Sequence, residues 1–470
     1  MGISRRLGTA VGVRGRLVTM TTIPELISAD RPRIFEQLSA LVSFPSVHAA
    51  PGTEEANAAA AAWVAQAFEE AGIKMEAITT VDGSVALVGE RAGDPAAKTV
   101  LLYSHYDVVP AGDRAAWVSD PFTLTERAAD DGSTRWYGRG AADCKGNVAM
   151  HLAALRALET TGGTKLNLKV LIEGSEERGG EGLSALIEEK PELFTADAIL
   201  IADAGNAKLG HPTLTTSLRG GGQILVTVDT LAAGVHSGQF GGAAPDAVKA
   251  LMRALDSLHD EAGRLQIDGI DTSAIWEGEA YPVEDFRADA QILDGVDVMG
   301  TEQDAVADFL WARPAVSITG FSSTPVAEAV NAVAPTASAN LNLRVPATMD
   351  PDAVAEALVK HIEAHVPWGA HVTCEILEVN RGFETDPTKP ALATLGECLA
   401  EAYGREVTQI GMGGSIPLTV ELQEKHPAAE IALFGVEEPK ATIHSANESV
   451  DPTEIEKIAI AEALFLQRYA

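Results

Sequence analysis

The chain has 470 residues, of which 35 are Lys or Arg and 67 are Asp or Glu, so its formal net charge is −32. This excess of negative charge argues against nucleic acid and against an anionic membrane surface as partners, because both require clustered cations. Hydrophobic residues make up 46% of the chain, which excludes a disordered acidic tail. At roughly 150 residues per domain, the length suggests about two or three domains.

The cysteine pattern and the N-terminal segment bear on the compartment. Cys144, Cys374 and Cys398 are an odd number in a long chain and provide no disulfide framework. They fit a reducing compartment, and no apolar run reaches the roughly 18 residues of a membrane-spanning helix. We therefore expect a cytoplasmic protein. Residues 1–24 begin with an Arg-rich stretch that lacks an apolar segment, and we expect a flexible N-terminal extension there.

In the first 210 residues, Ala-rich helical segments alternate with short β-rich runs. Helices are predicted over 54–71 and 147–159, and strands over 99–104, 166–173 and 197–202. Nearly continuous apolar strands that alternate with helices are typical of a mostly parallel sheet with helices on both faces. The predicted fold class is therefore α/β.

The pattern changes from about residue 213 to residue 379. The predicted order there is strand, helix, strand, strand, helix and strand, at 223–229, 246–258, 315–319, 337–344, 351–365 and 371–377. Half-buried alternation in this order predicts an open-faced α/β sandwich, inserted as a domain over 213–379, with 260–312 as an irregular excursion. The parallel pattern returns in the strand 430–435 and the final helix from Pro452. The first domain would thus be discontinuous, over 25–212 and 380–470.

Polar side chains follow the predicted strands at their carboxyl ends, where open α/β sheets bind ligands. Packed carboxylates repel one another unless cations neutralise them, and imidazole with carboxylate suits zinc, and also manganese or cobalt. Two histidines and three carboxylates are too many for one tetrahedral ion and fit two ions that share a carboxylate. The polar residues at these strand ends and loops, from which such a ligand set would be drawn, are His105 and Asp107, Glu176 and Glu177, Asp203, Asp143 at the end of a Gly-rich loop, and His444.

Each of these features is weak evidence by itself, and their convergence on strand ends is what favours a metal site. An isolated Glu-Glu pair is usually a solvated surface pair. His361 and His365 have the spacing of a zincin helix but lack the Glu directly after the first His. The run GGSIP over 413–417 lacks the final Gly of a nucleophile elbow, which argues against a serine hydrolase.

Longer motifs give a specific resemblance. The runs LYSHYDVVP (102–110), YGRGAADCKG (137–146), GVHSG (234–238) and GGSIP (413–417) occur in one order with the residues above. They resemble the co-catalytic dizinc metallopeptidase family of carnosinases, bacterial dipeptidases, aminoacylases and succinyl-diaminopimelate desuccinylase. The resemblance spans about residues 25–470 and is closest to the carnosinase and dipeptidase branch. Cys144 is a departure, since relatives often carry Asp or Met there.

The resemblance implies two Zn²⁺ ions, for which Mn²⁺ or Co²⁺ could substitute. Glu176 falls at the position of the general base and Asp107 at that of the supporting carboxylate. In the family, the peptide bond after the bridging Asp is cis. The metal ligands by position are His105, Asp143 and Asp203 for one ion and Glu177 and His444 for the other, with Asp143 shared.

The inserted domain is similar to the family's lid and dimerisation domain, which implies a homodimer. In many members the lid histidine, here His236, reaches the active site of the partner subunit and polarises the scissile carbonyl. Asn331 and Arg344 fall where relatives bind the substrate, with Arg344 on its free carboxylate. Gly414 and Ser415 match a loop that lines the same pocket.

The resemblance also indicates a substrate class. In this family, Asp at the position of Asp203 tends to accompany dipeptidases, so we expect hydrolysis of a dipeptide with a free C-terminal carboxylate. The alternative is deacylation of an N-acyl amino acid, for which Arg344 would serve equally well. A non-catalytic relative would be expected to lack Glu176 or a ligand, and none is missing.

Overall fold

The computed structural model describes residues 21–129, 132–414 and 416–469. Most of the predicted extension, residues 1–20, lies outside this part of the chain. Its predicted end at residue 24 is wrong, because Ile23 already begins a helix. The Thr22 and Glu25 side chains each bond the other's backbone N–H and so cap this helix start.

The elements of the chain fall into three successive regions. The first contains α1 (Ile23–Ala29), α2 (Arg31–Val42), α3 (Glu54–Glu70), β1 (Lys74–Thr79), β2 (Val85–Arg91), β3 (Thr99–His105), β4 (Thr125–Ala128), β5 (Thr134–Tyr137), α4 (Lys145–Thr160), β6 (Asn167–Glu173), α5 (Glu181–Glu189), β7 (Ala198–Ala202) and β8 (Thr213–Leu218). The second contains β9 (Gly220–Asp229), β10 (Val235–His236), α6 (Ser237–Phe240), α7 (Ala247–Asp256), α8 (Val283–Asp289), β11 (Ala315–Ser322), β12 (Ala332–Val333), β13 (Thr336–Val345), α9 (Pro351–His365) and β14 (His371–Asn380). The third contains β15 (Phe383–Glu384), α10 (Pro390–Tyr403), β16 (Thr408–Met412), α11 (Pro417–Lys425), β17 (Glu430–Phe434), β18 (Ser449–Val450) and α12 (Pro452–Arg468).

The first and third regions share one sheet of nine strands, counted over the described residues. Its order is β1-β2-β6-β3-β7-β17-β8-β15, and β16 pairs with β8. The central strands β6, β3, β7 and β17 are parallel neighbours, whereas the β1–β2, β2–β6, β8–β17 and β8–β15 pairs are antiparallel. The predicted α/β class is confirmed, with a mainly parallel centre.

The central strands are apolar throughout because they supply two cores. In β3, Val100 and Leu102 pack into the core beneath α2, α3, α4, α10 and α12. Leu101 and Tyr103 pack on the opposite face, beneath α5 and α11. Successive strand residues point to opposite faces, so a strand covered on both sides has no polar face. The strand ends are therefore the first places where β3 and its neighbours can present polar groups.

The second region forms the predicted open-faced sandwich. Its antiparallel sheet has the order β11-β13-β9-β14, and α7 and α9 pack on one face. Asp350 caps α9 by accepting the N–H of Asp352 at 3.2 Å, as its position before Pro351 predicts. The predicted start of the insertion at residue 213 is too early, because β8 pairs within the large sheet. The division into domains stays a proposal, with the crossover at Arg219.

The excursion over 260–312 has more order than its sequence pattern indicates. Trp311 packs edge-on against Trp276 and is stacked with Tyr281. The Glu279 N–H donates to the Gln409 carbonyl oxygen at 2.9 Å, and so joins the excursion to β16. Within the described residues, none of the helices is long and apolar enough to cross a membrane.

Candidate metal centre

Asp107 joins two of the loops that follow the parallel strands. Its carboxylate accepts the backbone N–H groups of Glu176 at 3.2 Å and Glu177 at 3.1 Å. It also lies 3.3 Å from Nδ1 of His105, the last residue of β3. Both His105 and Asp107 are fully buried. Asp107 therefore contacts the His105 ring and the Glu176–Glu177 turn together, and its role as the supporting carboxylate stays a prediction.

Asp143 lies between the two imidazoles. Its Oδ1 is 3.1 Å from His105 Nε2, and its Oδ2 is 3.0 Å from His444 Nε2. Asp203 Oδ1 is 3.2 Å from His105 Nε2, and Glu177 Oε2 is 3.0 Å from His444 Nε2. The structure thus brings the five predicted ligands together as two groups that share Asp143.

Asp143 is held by the loop that precedes α4. The Asp143–Cys144 peptide bond is cis, as in the family that the motifs resemble. Glu448, which the sequence analysis missed, accepts the backbone N–H groups of Gly140, Ala142 and Asp143 at 2.9, 3.1 and 3.1 Å. It also accepts from Nη1 of Arg139 at 2.6 Å. One buried carboxylate therefore fixes the backbone of the loop that carries Asp143.

The cluster is strongly coupled in charge. Burial raises the pKa of Glu176 well above its usual range, and the Asp203 charge adds to this. Burial likewise raises the pKa of Glu177. Burial would also raise the pKa of Asp143, but hydrogen bonds with His105 and His444 lower it below its usual range. Hydrogen bonds to Asp143 and Glu177 raise the pKa of His444 to about 10. Without bound cations, protons on the carboxyl and imidazole groups would thus offset the negative charge of the cluster.

Glu437 is a further carboxylate that the sequence analysis missed. Its oxygen and those of Asp143 and Asp203 lie within 4.8 Å of one another. Its backbone is fixed, since its carbonyl oxygen accepts the Asn206 N–H at 2.8 Å. Burial raises the pKa of Glu437 well above its usual range, followed by the charges of Asp143 and Asp203. A cation bound there would favour the ionised form of Glu437, which burial and its neighbours otherwise disfavour.

The residues present fit divalent cations. Glu177 Oε1 is buried and has no hydrogen-bond partner among the described residues, although its Oε2 contacts His444. Such an orphaned oxygen beside imidazole nitrogens is a suitable ligand for zinc, manganese or cobalt. Cys144 does not fit the role of ligand: its Sγ donates to the Ala202 carbonyl oxygen at 3.0 Å. Burial raises the pKa of its thiol to about 12.

The other predicted site residues lie outside this cluster. His236 and Asn331 are exposed neighbours on a small lid ribbon, where β10 pairs with β12 and the Ser237 N–H donates to the Asn331 carbonyl oxygen at 2.9 Å. No contact of theirs with the metal-ligand cluster occurs within the described part of this chain. Arg344 is half-buried, with Nε donating to Asn342 Oδ1 at 3.1 Å. Gly414 is exposed, and Ser415 lies outside the described residues.

A second His-containing group on the lid has ordinary structural partners. His361 Nδ1 lies 3.2 Å from the Asp268 backbone N, which donates to it, and its Nε2 is 3.1 Å from Ser257 Oγ. His365 Nδ1 is 2.8 Å from the His361 carbonyl oxygen. These imidazoles connect α9 to the segment beside it, and the zincin interpretation gains no support.

Comparison with known proteins bears on the identity of the site. The sequence profile of Peptidase family M20/M25/M40 matches residues 101–468. The chain is 55% identical over 447 residues to a cysteinylglycine-S-conjugate dipeptidase of Corynebacterium striatum, covering 94% of this chain and 97% of that protein. It is 27% identical over 460 residues to the Cys-Gly metallodipeptidase dug1 of Schizosaccharomyces pombe, covering 92% of this chain and 95% of that protein.

Solved structures show the same fold. The dipeptidase Dug1p of Saccharomyces cerevisiae superposes with a TM-score of 0.75 at 24% identity, over 96% of this chain and 98% of that one. Human carnosine dipeptidase 1 superposes with a TM-score of 0.74 at 23% identity, over 94% of this chain and 97% of that one. The nine-stranded sheet and the lid therefore belong to an architecture that occurs in solved dipeptidases.

Proposed function

The chain belongs to peptidase family M20/M25/M40 and is a metallodipeptidase, and we propose that it hydrolyses dipeptides that carry a free C-terminal carboxylate. The observation that carries this proposal is Asp143, whose two oxygens each approach a different imidazole. One carboxylate between two ligand groups suits two divalent cations, and we propose zinc for both. His105, Asp143 and Asp203 would hold one ion, and Asp143, Glu177 and His444 the other.

Bound zinc would supply Lewis acidity for the scissile carbonyl and would lower the pKa of water from about 16 to about 7. The chain itself supplies the proton transfer. Glu176 lies beside the cluster, with Oε2 4.0 Å from His105 Nε2, and its side chain remains 20% exposed to the cleft. We assign it the role of general base, which takes a proton from the attacking water and passes it to the leaving amine.

The rest of the proposal concerns how the substrate is bound and which dipeptide it is. Arg344 would bind the C-terminal carboxylate through its planar fork of donors. The related protein of Corynebacterium striatum is a cysteinylglycine-S-conjugate dipeptidase and that of Schizosaccharomyces pombe a Cys-Gly metallodipeptidase, and cysteinylglycine, the dipeptide common to both names, is the first substrate that we propose. The N-acyl amino acid alternative gains no support from the relatives compared above.

The lid ribbon supports a dimeric site. His236 and Asn331 are both exposed and adjacent, as side chains that serve a second subunit would be. The lid also exposes large apolar side chains, including Ile318, Phe321 and Val330, which suit burial between subunits. We propose a homodimer in which His236 polarises the scissile carbonyl in the partner's site. The free cysteines Cys144, Cys374 and Cys398 fit the proposed cytoplasmic location.

Replacing Glu176 tests the proposed base. Glu176→Gln keeps the size of the side chain but removes the proton acceptor, so kcat for cysteinylglycine should fall at least about a hundredfold. Zinc content, measured by elemental analysis of the purified protein, should stay unchanged because Glu176 is not a proposed ligand. Glu181→Gln, on the exposed first turn of α5, is the matched control. Near-normal turnover by Glu176→Gln would refute the assignment.

A further inference from the structure

Arg219 is a buried cation that has no anionic partner among the residues that the structure describes. It lies between β8 and β9 and is only 7% exposed. Its Nη1 donates to the Phe309 carbonyl oxygen at 3.2 Å, and its Nε is buried without a hydrogen-bond partner. Among the described residues, no carboxylate forms an ion pair with it. Burying an unpaired charge is costly, so an anion from outside the described part of the chain would stabilise this guanidinium.

A second guanidinium lies nearby. Arg344 pairs across the lid sheet with Gly221, two residues after Arg219. Burial lowers the pKa of Arg219 to about 10, and the charge of Arg344 is the second cause. Arg219 thus stays protonated at neutral pH beside a like charge. An anion between the two groups would relieve both the desolvation and the repulsion.

Arg219 also faces the loop that the sequence analysis assigned to the substrate pocket. A Cβ added at Gly413 would lie 2.9 Å from Arg219 Nη2. Residue 413 therefore must be small for the guanidinium to lie against this loop. Gly413 directly precedes Gly414 in the GGSIP run, and the Arg219 N–H donates to the Met412 carbonyl oxygen at 3.1 Å. Arg219 is thus fixed by its backbone and its side chain beside the GGSIP run.

We propose that Arg219 is the second guanidinium, with Arg344, of the subsite for the free C-terminal carboxylate of the dipeptide. This inference rests on the proposed function and deepens it. A carboxylate offers about four lone-pair sites on its two oxygens, enough for two forks of donors. A neutral C-terminal amide would leave both guanidiniums unpaired. The pair therefore selects dipeptide acids over dipeptide amides.

The test compares cysteinylglycine with cysteinylglycine amide in the wild type and in Arg219→Gln. We expect the wild type to prefer the acid in kcat/KM, and Arg219→Gln to lose at least about tenfold of that preference, through a higher KM for the acid. The kinetics of the amide should change little. Arg219→Lys, which keeps the charge but not the fork, should retain part of the preference. Arg405→Gln, an exposed arginine, is the matched control and should behave like the wild type.

A purely structural role would give a different result. If Arg219 only holds the Phe309 carbonyl and the 413 loop, its replacement will slow acid and amide hydrolysis equally, and that result would overturn the proposal, as would unchanged kinetics. Should Arg219→Gln fail to fold, Arg344→Gln provides the test. The proposal requires that Arg344→Gln keep part of the preference for the acid over the amide, because Arg219 remains. Complete loss of this preference in Arg344→Gln would contradict the proposal. Failure of the proposed function is distinguishable, because the wild type would then cleave neither dipeptide.

Discussion

Asp107 shows how a single buried side chain can determine the geometry of several ligands. It contacts His105 and accepts both N–H groups of the Glu176–Glu177 turn. Asp107→Ala should therefore weaken zinc binding by about 10–100-fold, the usual effect of losing a group that orients metal ligands. Calorimetric titration of the metal-free protein with zinc measures this. Asp113→Ala, an exposed turn residue of the same segment, should leave affinity unchanged, and equal affinities in both variants would contradict the account.

His444 makes zinc binding dependent on pH. Its pKa of about 10 in the cation-free protein lies above the usual value of about 6.5. The protonated ring therefore stabilises the cation-free fold fully below about pH 6.5, and this contribution is lost as pH rises towards 10. Zinc requires the neutral ring, so we expect its affinity to rise between pH 7 and pH 9, with release of protons on binding.

Calorimetry in buffers of different ionisation enthalpy counts these protons. His444→Gln should release about one proton fewer than the wild type. His211→Gln is the control, since burial lowers the pKa of His211 and the residue is absent from the cluster. A zinc affinity that is independent of pH would refute this role of His444.

The sequence brought the members of the candidate cluster to attention because strand ends and motif order single them out, and their role as metal ligands stays a prediction. His105 ends the buried strand β3 and Asp203 directly follows the buried strand β7, and such positions meet at one edge of a parallel sheet. Glu448, Glu437 and Arg219 were not predicted. Glu448 binds a loop that lies about 300 residues earlier in the chain, and a contact over that separation leaves no recognisable pattern in the local sequence. Arg219 stands out as a candidate binding residue only because it is buried without an acidic partner among the described residues, and the sequence alone does not show which charges are buried or paired.

At the scale of elements, the loop before α4 depends on the buried Arg139–Glu448 pair. Both side chains are about 1% exposed. Glu448→Gln would leave Arg139 buried without a charge partner, so we expect the free energy of unfolding to fall by about 3–5 kcal/mol. Urea denaturation of the zinc-free protein measures the change without the contribution of bound metal.

An exposed pair supplies the control for this prediction. Arg468 and Glu401 form an ion pair with 40% and 54% exposed side chains, and Glu401→Gln should cost at most about 1 kcal/mol. Arg139→Met combined with Glu448→Gln should recover part of the loss, because no unpaired charge remains. Equal losses in Glu448→Gln and Glu401→Gln would show that the loop does not depend on this pair.

Elements with strong periodicity were predicted closely, whereas segments stabilised by distant contacts were not. The helix over 351–365 agrees with α9, since Asp350 and Pro351 mark its start. The start of the insertion at 213 was wrong because β8 owes its place to pairing with β16 and β17, far along the chain. The excursion over 260–312 is ordered by aromatic contacts and by docking on β16, neither of which follows a period.

At the scale of the whole molecule, the acidic composition and the charges of the site favour the same kind of substrate. The net charge of −32 disfavours polyanionic partners, while the cluster concentrates carboxylates that cations would neutralise. The proposed carboxylate subsite of Arg219 and Arg344 would supply positive charge for the C-terminal end of the substrate. A small zwitterion such as a dipeptide suits such an arrangement.

The most direct test of the account measures kcat/KM of the zinc-reconstituted protein on cysteinylglycine beside N-acetyl and N-succinyl amino acids. We expect clear turnover of the dipeptide and at least about a tenfold preference for it, equivalent to about 1.4 kcal/mol in transition-state stabilisation. Preference for the N-acyl amino acids would keep the metal centre but contradict the dipeptidase account and the substrate class inferred from Asp203.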